Sequence, residues 1–403
     1  MKLRGLEPQI LVLVTLGLVA FGLVMVYSAT SAAAALGGDD PSEFLKRQGT
    51  YALLGLGLLI VASRFDFRKL RPLAPTLLVV SFALCVAVLL LAQPINGARR
   101  WLQLGPATFQ PSELAKLGFC VWAAAYLARK SPPQTLGELA KPLGLVLGLL
   151  GAVIIVEPDL GTTISLFVTA AALLLVAGVP ARVLGAAAGL TLALGAVAIW
   201  FEPYRRDRLL SFLDPWHDAQ GSGFQIVQAQ IGFGSGGLLG EGLGQGVQKI
   251  HYLPEAHTDM ILAIVGEELG LIGTAGVIVA YALFAWAGLR IALSCRDPFG
   301  KHLAAGLVAL VCGQAAINLM AVLGLAPLTG IPLPFVSYGG SNLVVQLASV
   351  GILLNVAANG RVAASVPDRS RRNSRTRAAG TRGGRRAAGT RRPRDVRRVA
   401  GAG

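Results

Sequence analysis

Residues 248–270, QKIHYLPEAHTDMILAIVGEELG, gather more chemistry than any other stretch of this chain. His251, Glu255, His257 and Asp259 stand at the start of a long apolar run that itself carries Glu267 and Glu268. Carboxylates at the edge of hydrocarbon are costly and mark sites of chemistry or transport. Asp259 is the candidate base: at the start of a span, partial burial raises a carboxyl pKa toward the useful range. The competing role is structural, with Thr258 or Asp259 capping the helix that follows. No HExxH spacing is present and the ligand types are loosely spread, which argues against a tightly held zinc ion. A divalent ion, Mg²⁺ or Mn²⁺, fits this pattern only if bound transiently near Asp259 together with a diphosphate ligand.

Further polar groups cluster in the other irregular segments. In NGARRWLQLGPATFQPSELAK (96–116), Arg99 and Arg100 precede Trp101, and a guanidinium suits phosphate oxygens through paired hydrogen bonds. Headgroup anchoring, with Trp101 as an interfacial belt residue, is the alternative. Glu113 and Lys116 stand three apart and share a helix face. They form either a structural ion pair or the floor of a wet cavity that also receives Asp259. Residues 202–257 bring Arg205, Arg206 and Arg208, then the Asp214-Pro215-Trp216 turn. Gln225, Gln228 and Gln230 interleave with apolar residues as in a short interfacial helix. The glycines behind that helix could cradle phosphate with their N–H groups, a weak signal by itself. Asp159 and Asn318 are polar intrusions near and within spans. The irregular, apolar segment 329–342, TGIPLPFVSYGGSN, is expected to line protein or cavity rather than lipid.

The elements that position these groups are membrane helices. Hydrophobic residues make up 54% of the 403 and charged residues 14%; mean hydropathy is +0.63. A soluble domain carries about 25% charged residues. Ten apolar segments are expected at 9–29, 48–63, 72–93, 111–128, 142–157, 159–178, 181–201, 258–292, 302–325 and 338–358. None alternates with period two, which excludes a β-barrel. The fold class is therefore all-α and polytopic, with about ten transmembrane helices. Basic residues at Lys2, Arg4, Arg64, Arg68, Lys69, Arg71, Arg129, Lys130, Lys141, Arg182, Arg290, Arg296 and Lys301 fall on one side of such a bundle. That side is cytoplasmic by the positive-inside rule, and both termini lie there. The large loop 202–257, between the seventh and eighth helices, is then extracytoplasmic. No cleavable signal peptide is evident. Residues 1–360 form one membrane domain. From 361 to 403 the chain carries fourteen Arg against Asp368 and Asp395, +12 of the formal +15. This tail is expected to be disordered and to hold the anionic inner leaflet at about 1 kcal/mol per nearby basic residue. Nucleic acid is not an expected partner. Cys85, Cys120, Cys295 and Cys312 are isolated and read as small packing residues.

Taken together, NGARRWLQLGPATFQPSELAK, EPDLGT, PYRRDRLLSFLDPW, GSGFQIVQAQIGFGSGGLLGEGLGQG, YLPEAHTDMILAIVGEELGLIG and PLTGIPLPFVSYGGS resemble the SEDS family (shape, elongation, division and sporulation), the FtsW/RodA proteins. YLPEAHTD followed by VGEELGLIG is more similar to the division branch. The resemblance spans most of residues 10–358. It implies a ten-helix peptidoglycan glycosyltransferase that polymerises lipid II, an undecaprenyl-diphosphate-linked sugar, at the outer face of the bacterial cytoplasmic membrane. It also implies a class B penicillin-binding protein transpeptidase as partner, with other division or elongation proteins. It assigns catalysis to Asp259. It assigns substrate binding to Trp101, Arg100, Glu113, Lys116, Arg205, Arg208, His257 and Ser337. Met260-Ile261-Leu262 departs from the family's common Phe-Ile-Phe. Two other classes of function fit the same residues. A lipid II flippase would use Glu113, Lys116, Glu267 and Glu268 as a polar path. A non-catalytic scaffold would only recruit a transpeptidase.

Overall fold

The structure, a computed structural model, describes residues 5–37, 40–94, 98–105, 107–250 and 253–360. His251, the Asn96-Gly97 turn and the Arg-rich tail from residue 361 lie outside the described residues. Helix α1 spans Leu6–Gly37 and α2 Glu43–Arg64. A 3₁₀ turn, Phe67–Lys69, leads into α3, Leu70–Leu91. Strands β1 (Leu102–Leu104) and β2 (Ala107–Phe109) form an antiparallel hairpin, with Leu102 opposite Phe109. Helix α4 is Pro111–Leu127. The short α5, Leu136–Leu139, runs through a π turn into α6, Leu145–Val156. Then come α7 (Leu160–Ala177), α8 (Ala181–Trp200), α9 (Pro203–Leu213) and α10 (Phe224–Gly236). The last three are α11 (Ile261–Ser294), α12 (Pro298–Val322) and α13 (Gly340–Asn359).

Eight of the described segments are long and apolar enough to cross a membrane, and the chain is an all-α polytopic membrane protein. The two remaining expected spans are also helices, with physical reasons for falling short. Helix α2 opens with Glu43, Lys46 and Arg47, and α4 has 17 residues and carries Glu113 and Lys116. Both are integral to the bundle: α2 packs along α13, and α4 sits between α3 and α12. In contrast, α8 buries only Val183 among its described residues.

Three local features differ from the sequence reading. The segment after residue 98 folds as a hairpin, turned at Gly105 (φ +63°), where an irregular loop was expected. Helix α11 begins at Ile261, so Asp259 precedes it. Met260 occupies the cap position with no side-chain cap bond, and the capping roles expected of Thr258 or Asp259 are not realised. Helix α10 buries Ile226, Val227, Ala229, Gly232 and Gly236, and it packs on α11 rather than lying as a surface helix. At Gly236 the two backbones approach so closely that a Cβ would collide with the Gly266 carbonyl.

Candidate active site

Asp259 ends the turn that leads into α11 and is half-buried. The Thr258 hydroxyl lies 3.1 Å from its Oδ1. Gly330, in the segment between α12 and α13, adopts φ +70°, a conformation that favours glycine. The point where a Cβ on Gly330 would stand lies 3.9 Å from Asp259 Oδ2 and 3.9 Å from Arg208 Nη1. A carboxylate and a guanidinium from distant parts of the chain thus flank one bare backbone position. Arg208, on α9, also donates to the Leu328 carbonyl at 3.3 Å, which fixes it to the same segment. Burial pushes the Asp259 carboxyl above its ordinary value; the Thr258 hydrogen bond and the Arg208 charge oppose that rise.

The segment 328–338 is held by side chains from several helices. Asn318 Nδ2 donates to the Ile331 carbonyl (2.9 Å) and to the Asp259 carbonyl (2.7 Å). One turn earlier on α12, Gln314 Nε2 donates to the Pro332 carbonyl at 2.9 Å. The Tyr281 hydroxyl donates to the Pro334 carbonyl, and Gln48 Nε2 to the Ser337 carbonyl at 3.1 Å. Ser337, expected at the substrate, is instead buried, and its hydroxyl accepts the Leu333 N–H at 2.8 Å. Its observed role is to shape the segment. As expected, this irregular backbone lies against protein: Ile331, Leu333, Phe335 and Val336 are all buried.

Beneath this segment lie Glu113 and Lys116, paired at 2.9 Å and buried. Lys116 Nζ also donates to Gln314 Oε1 at 2.7 Å, and Asn342 Nδ2 donates to Glu113 Oε2 at 2.8 Å. The pair is a bonded structural element; of the two readings left open by the sequence, this one is observed. Gln314 links it to Pro332, so the ion pair supports the segment beside Asp259.

Arg100 is directed to backbone oxygens. Its Nε donates to the Glu157 carbonyl at 3.0 Å, and Nη2 donates to the Pro158 carbonyl. Its guanidinium lies 6.0 Å from the Trp101 ring centre. The hairpin that follows Trp101 docks through Thr108 N–H to the Tyr51 hydroxyl (3.2 Å) and Gln110 N–H to Ser341 Oγ (2.9 Å). Gln110 Nε2 donates to Asp159 Oδ2 at 3.0 Å, while Asp159 Oδ1 caps α7 by accepting from Thr162 N–H at 3.0 Å. The α7 start reaches the central segment where Gly161 packs on Thr329 and Ile331. Arg100 and Trp101 therefore flank the Asp159 corner, one step removed from Asp259.

Glu157 in that corner is fully buried, and its carboxyl is pushed up to about 8 by burial and then by the Asp159 charge. An unfolded glutamate ionises near 4.5. The folded state therefore holds the proton to higher pH, and stability falls as pH rises from about 4.5 to about 8. Glu157→Gln should raise the melting temperature at pH 8 and flatten its pH dependence, as measured by thermal unfolding in detergent.

His257 packs its ring on Phe44 (centroids 4.7 Å) and Tyr338 (5.4 Å), and its carbonyl accepts the Tyr338 N–H at 2.9 Å. Burial pushes its pKa down, which favours the uncharged imidazole in this packing next to Asp259. Arg205 is carried on α9 with Arg208, but its side chain lies outside the described residues. Glu267 accepts from Val247 N–H (2.7 Å) and Gln248 N–H (3.1 Å). These N–H groups, next to the Gly-rich loop, thus bind the chain's own carboxylate rather than a phosphate. Glu268 pairs with buried Lys249 at 2.6 Å and accepts from the Ser28 hydroxyl at 2.7 Å. Among the described residues no three His, Cys, Asp or Glu side chains converge as metal ligands. The donor set of the described residues therefore makes no resident cation site.

Gln314, Gln48 and Tyr281, which hold the segment beside Asp259, and Lys249, which pairs with Glu268, are residues that the sequence reading missed. Lys249 carried a usable signal: it is the only cation in the stretch that holds Glu267 and Glu268.

Residues 8–362 match the FtsW/RodA/SpoVE family model, described as a cell cycle protein. The chain is 41% identical over 351 residues to the probable peptidoglycan glycosyltransferase FtsW of Geobacter metallireducens, covering 86% of this chain and 94% of that protein. It is 39% identical over 370 residues to the stage V sporulation protein E of Bacillus subtilis, covering 89% and 99%. Among solved structures it is similar to a chain from work on the structural coordination of polymerization and crosslinking by a peptidoglycan synthase complex. That match has a TM-score of 0.73 and 31% identity, covering 87% of this chain and 97% of the other. The rod shape determining protein RodA of Thermus thermophilus matches with a TM-score of 0.66 and 28% identity, covering 88% and 97%.

Proposed function

The chain belongs to the FtsW/RodA/SpoVE family, and from that premise we propose that it is a peptidoglycan glycosyltransferase of cell division that polymerises lipid II, with Asp259 as general base. Its place is the bacterial cytoplasmic membrane, with the site on the outer face. Its partner is a class B penicillin-binding protein that cross-links the new strand. The observation that carries this reading is that Asp259 and Arg208 both reach the same bare backbone position at Gly330.

In the reaction, a sugar hydroxyl of one lipid-linked unit attacks the anomeric carbon of another. The bond from that carbon to the diphosphate oxygen breaks, and the electron pair leaves with undecaprenyl diphosphate. Asp259 takes the hydroxyl proton, and the anomeric centre inverts. Asp259 suits the task because its side chain is not engaged as a helix cap and its pKa is raised above the ordinary carboxylate value. Arg208 stands where a diphosphate next to Gly330 would meet a positive charge, and such preorganised charge stabilises a leaving anion. A divalent ion, Mg²⁺ or Mn²⁺, would enter only with the substrate diphosphate.

The charges that a transport path would need are already bonded: Glu113 to Lys116, Glu268 to Lys249, and Glu267 to backbone N–H groups. Purified protein with its partner, in detergent, should form glycan strands from lipid II. Failure to do so, with retained lipid II binding, would favour transport or scaffolding.

Arg208→Gln tests the electrostatics. Removing the guanidinium takes away a charge that lowers the Asp259 pKa. Since the base must be deprotonated, the acid limb of the pH–rate profile should move to higher pH. The plateau rate should fall roughly 10²–10³-fold, as for loss of one preorganised charge-stabilising group. An unmoved limb would mean that Arg208 does not act on the base.

A further inference from the structure

We propose that Asn318 is a positioning residue for the transfer reaction: its amide clamps the Asp259 main chain to the Ile331 carbonyl and so fixes the base against Gly330 and Arg208. This rests on the reading of Asp259 as the base. Asn318 is buried within α12 and donates from one nitrogen to two carbonyls, 2.7 Å to Asp259 and 2.9 Å to Ile331. An amide NH₂ carries two hydrogens, so both bonds can be made at once. The two acceptors belong to separate segments. Asp259 ends the turn before α11, and Ile331 adjoins Gly330 in the segment between α12 and α13. Asn318 thus spans the seam across which base and guanidinium must be aligned. Met260 offers the helix start no side-chain cap, and Thr258 Oγ1 lies 2.9 Å from the Glu255 carbonyl within its own turn. The Asn318 bond therefore ties the Asp259 backbone to the rest of the site.

Neighbouring contacts separate this role from general support. Gln314 holds Pro332 but does not bond Asp259. Charged groups that act on the Asp259 carboxyl are Arg208 from α9 and Glu255 from its own turn. The segment 324–339 and helix α10 contain no charged residue, and the charged residues of α12, Lys301 with His302, sit at its opposite end. A change in the acid limb on substitution at 318 therefore reports a change in the surroundings of the Asp259 carboxyl: its burial first, then the Thr258 bond and the Arg208 and Glu255 charges.

The test uses the full chain with its transpeptidase partner, in detergent, with lipid II as substrate. Asn318→Leu keeps the size but donates nothing. It should lower kcat roughly 10- to 100-fold, as sub-ångström to ångström misplacement does, with KM for lipid II little changed. The acid limb should move as the carboxyl leaves its present burial and its place beside Arg208. Asn318→Ser, which retains one donor, should show a smaller loss and a smaller shift in the same direction, and it serves as the test if Asn318→Leu does not fold. Gln314→Leu should lower the melting temperature and leave the acid limb in place. The proposal is overturned if the position-318 variant that folds has wild-type kcat per folded molecule, or loses rate with an unmoved acid limb. It is equally overturned if Gln314→Leu shifts the limb as far. Asp259→Asn is run in parallel: near-normal polymerisation by that variant would remove the base assignment itself, a result distinct from either outcome at Asn318.

Discussion

Asp259→Asn should give a folded, membrane-inserted protein whose strand-forming rate is down roughly 10²–10⁴-fold, the usual worth of a positioned general base. The substitution is nearly isosteric. The Asn318 bond goes to the Asp259 carbonyl, not to its side chain, and is kept. No helix cap is lost. Stability should therefore stay close to wild type while the chemistry fails, which separates this variant from one that merely unfolds. The measurement is glycan-strand length and rate from lipid II, with thermal melting on the same preparation. Asp259→Glu should retain more activity than Asp259→Asn, since a carboxylate remains, though one methylene out of place. Wild-type rates in Asp259→Asn would remove Asp259 from the chemistry.

The second large effect is expected at the buried pair. Lys116→Met leaves the Glu113 carboxylate in the bundle with Asn342 as its remaining bonded partner among the described residues. Removing one member of a buried ion pair costs about 3–5 kcal/mol, because the other charge is left uncompensated. Glu113→Gln combined with Lys116→Met should recover most of that loss, since replacing both charges is often neutral or stabilising. Melting temperatures of the two single variants and the double variant in detergent check this. The activity of the double variant should remain below wild type, because the Lys116 bond that orients Gln314 against Pro332 is gone. A Lys116→Met protein that melts like wild type would show that the pair does not hold the bundle. The role of a substrate-facing charge would then be restored to Lys116.

These two sites also show what the sequence makes legible. Long apolar runs have one backbone solution in lipid, so most helices could be placed to within a few residues. Glu113 and Lys116 could be paired from their i,i+3 spacing alone, and the structure pairs them at 2.9 Å. The motif around Asp259 directs attention to the right turn. What sequence cannot give is which partner a polar group takes when several are within chain reach. Glu267 and Glu268 look like an intramembrane polar path until folding brings Val247, Gln248 and Lys249 onto them. Arg100 looks phosphate-directed, but it binds two backbone carbonyls of a corner more than fifty residues away. Ser337 reads as a substrate ligand and is used by the Leu333 N–H. The 102–109 hairpin carried a signal, alternating Leu-Gln-Leu before Gly105, but the run is too short to stand out against its surroundings. Asn318 gave no signal of its role, since both of its partners are backbone oxygens in other segments.

Everything proposed for catalysis requires that the carboxylate at position 259 open onto water at the outer face, beside Gly330 and Arg208. Cysteine labelling in intact cells tests this most directly. The native thiols give little background, because Cys85, Cys120 and Cys295 are buried and Cys312 is half-buried within α12. Asp259→Cys should react with a charged, membrane-impermeant maleimide added outside, while Glu268→Cys, from a position fully enclosed by protein, should not. If Asp259→Cys stays unlabelled in intact cells and reacts only in inverted vesicles, or in neither, the outward-facing site is contradicted.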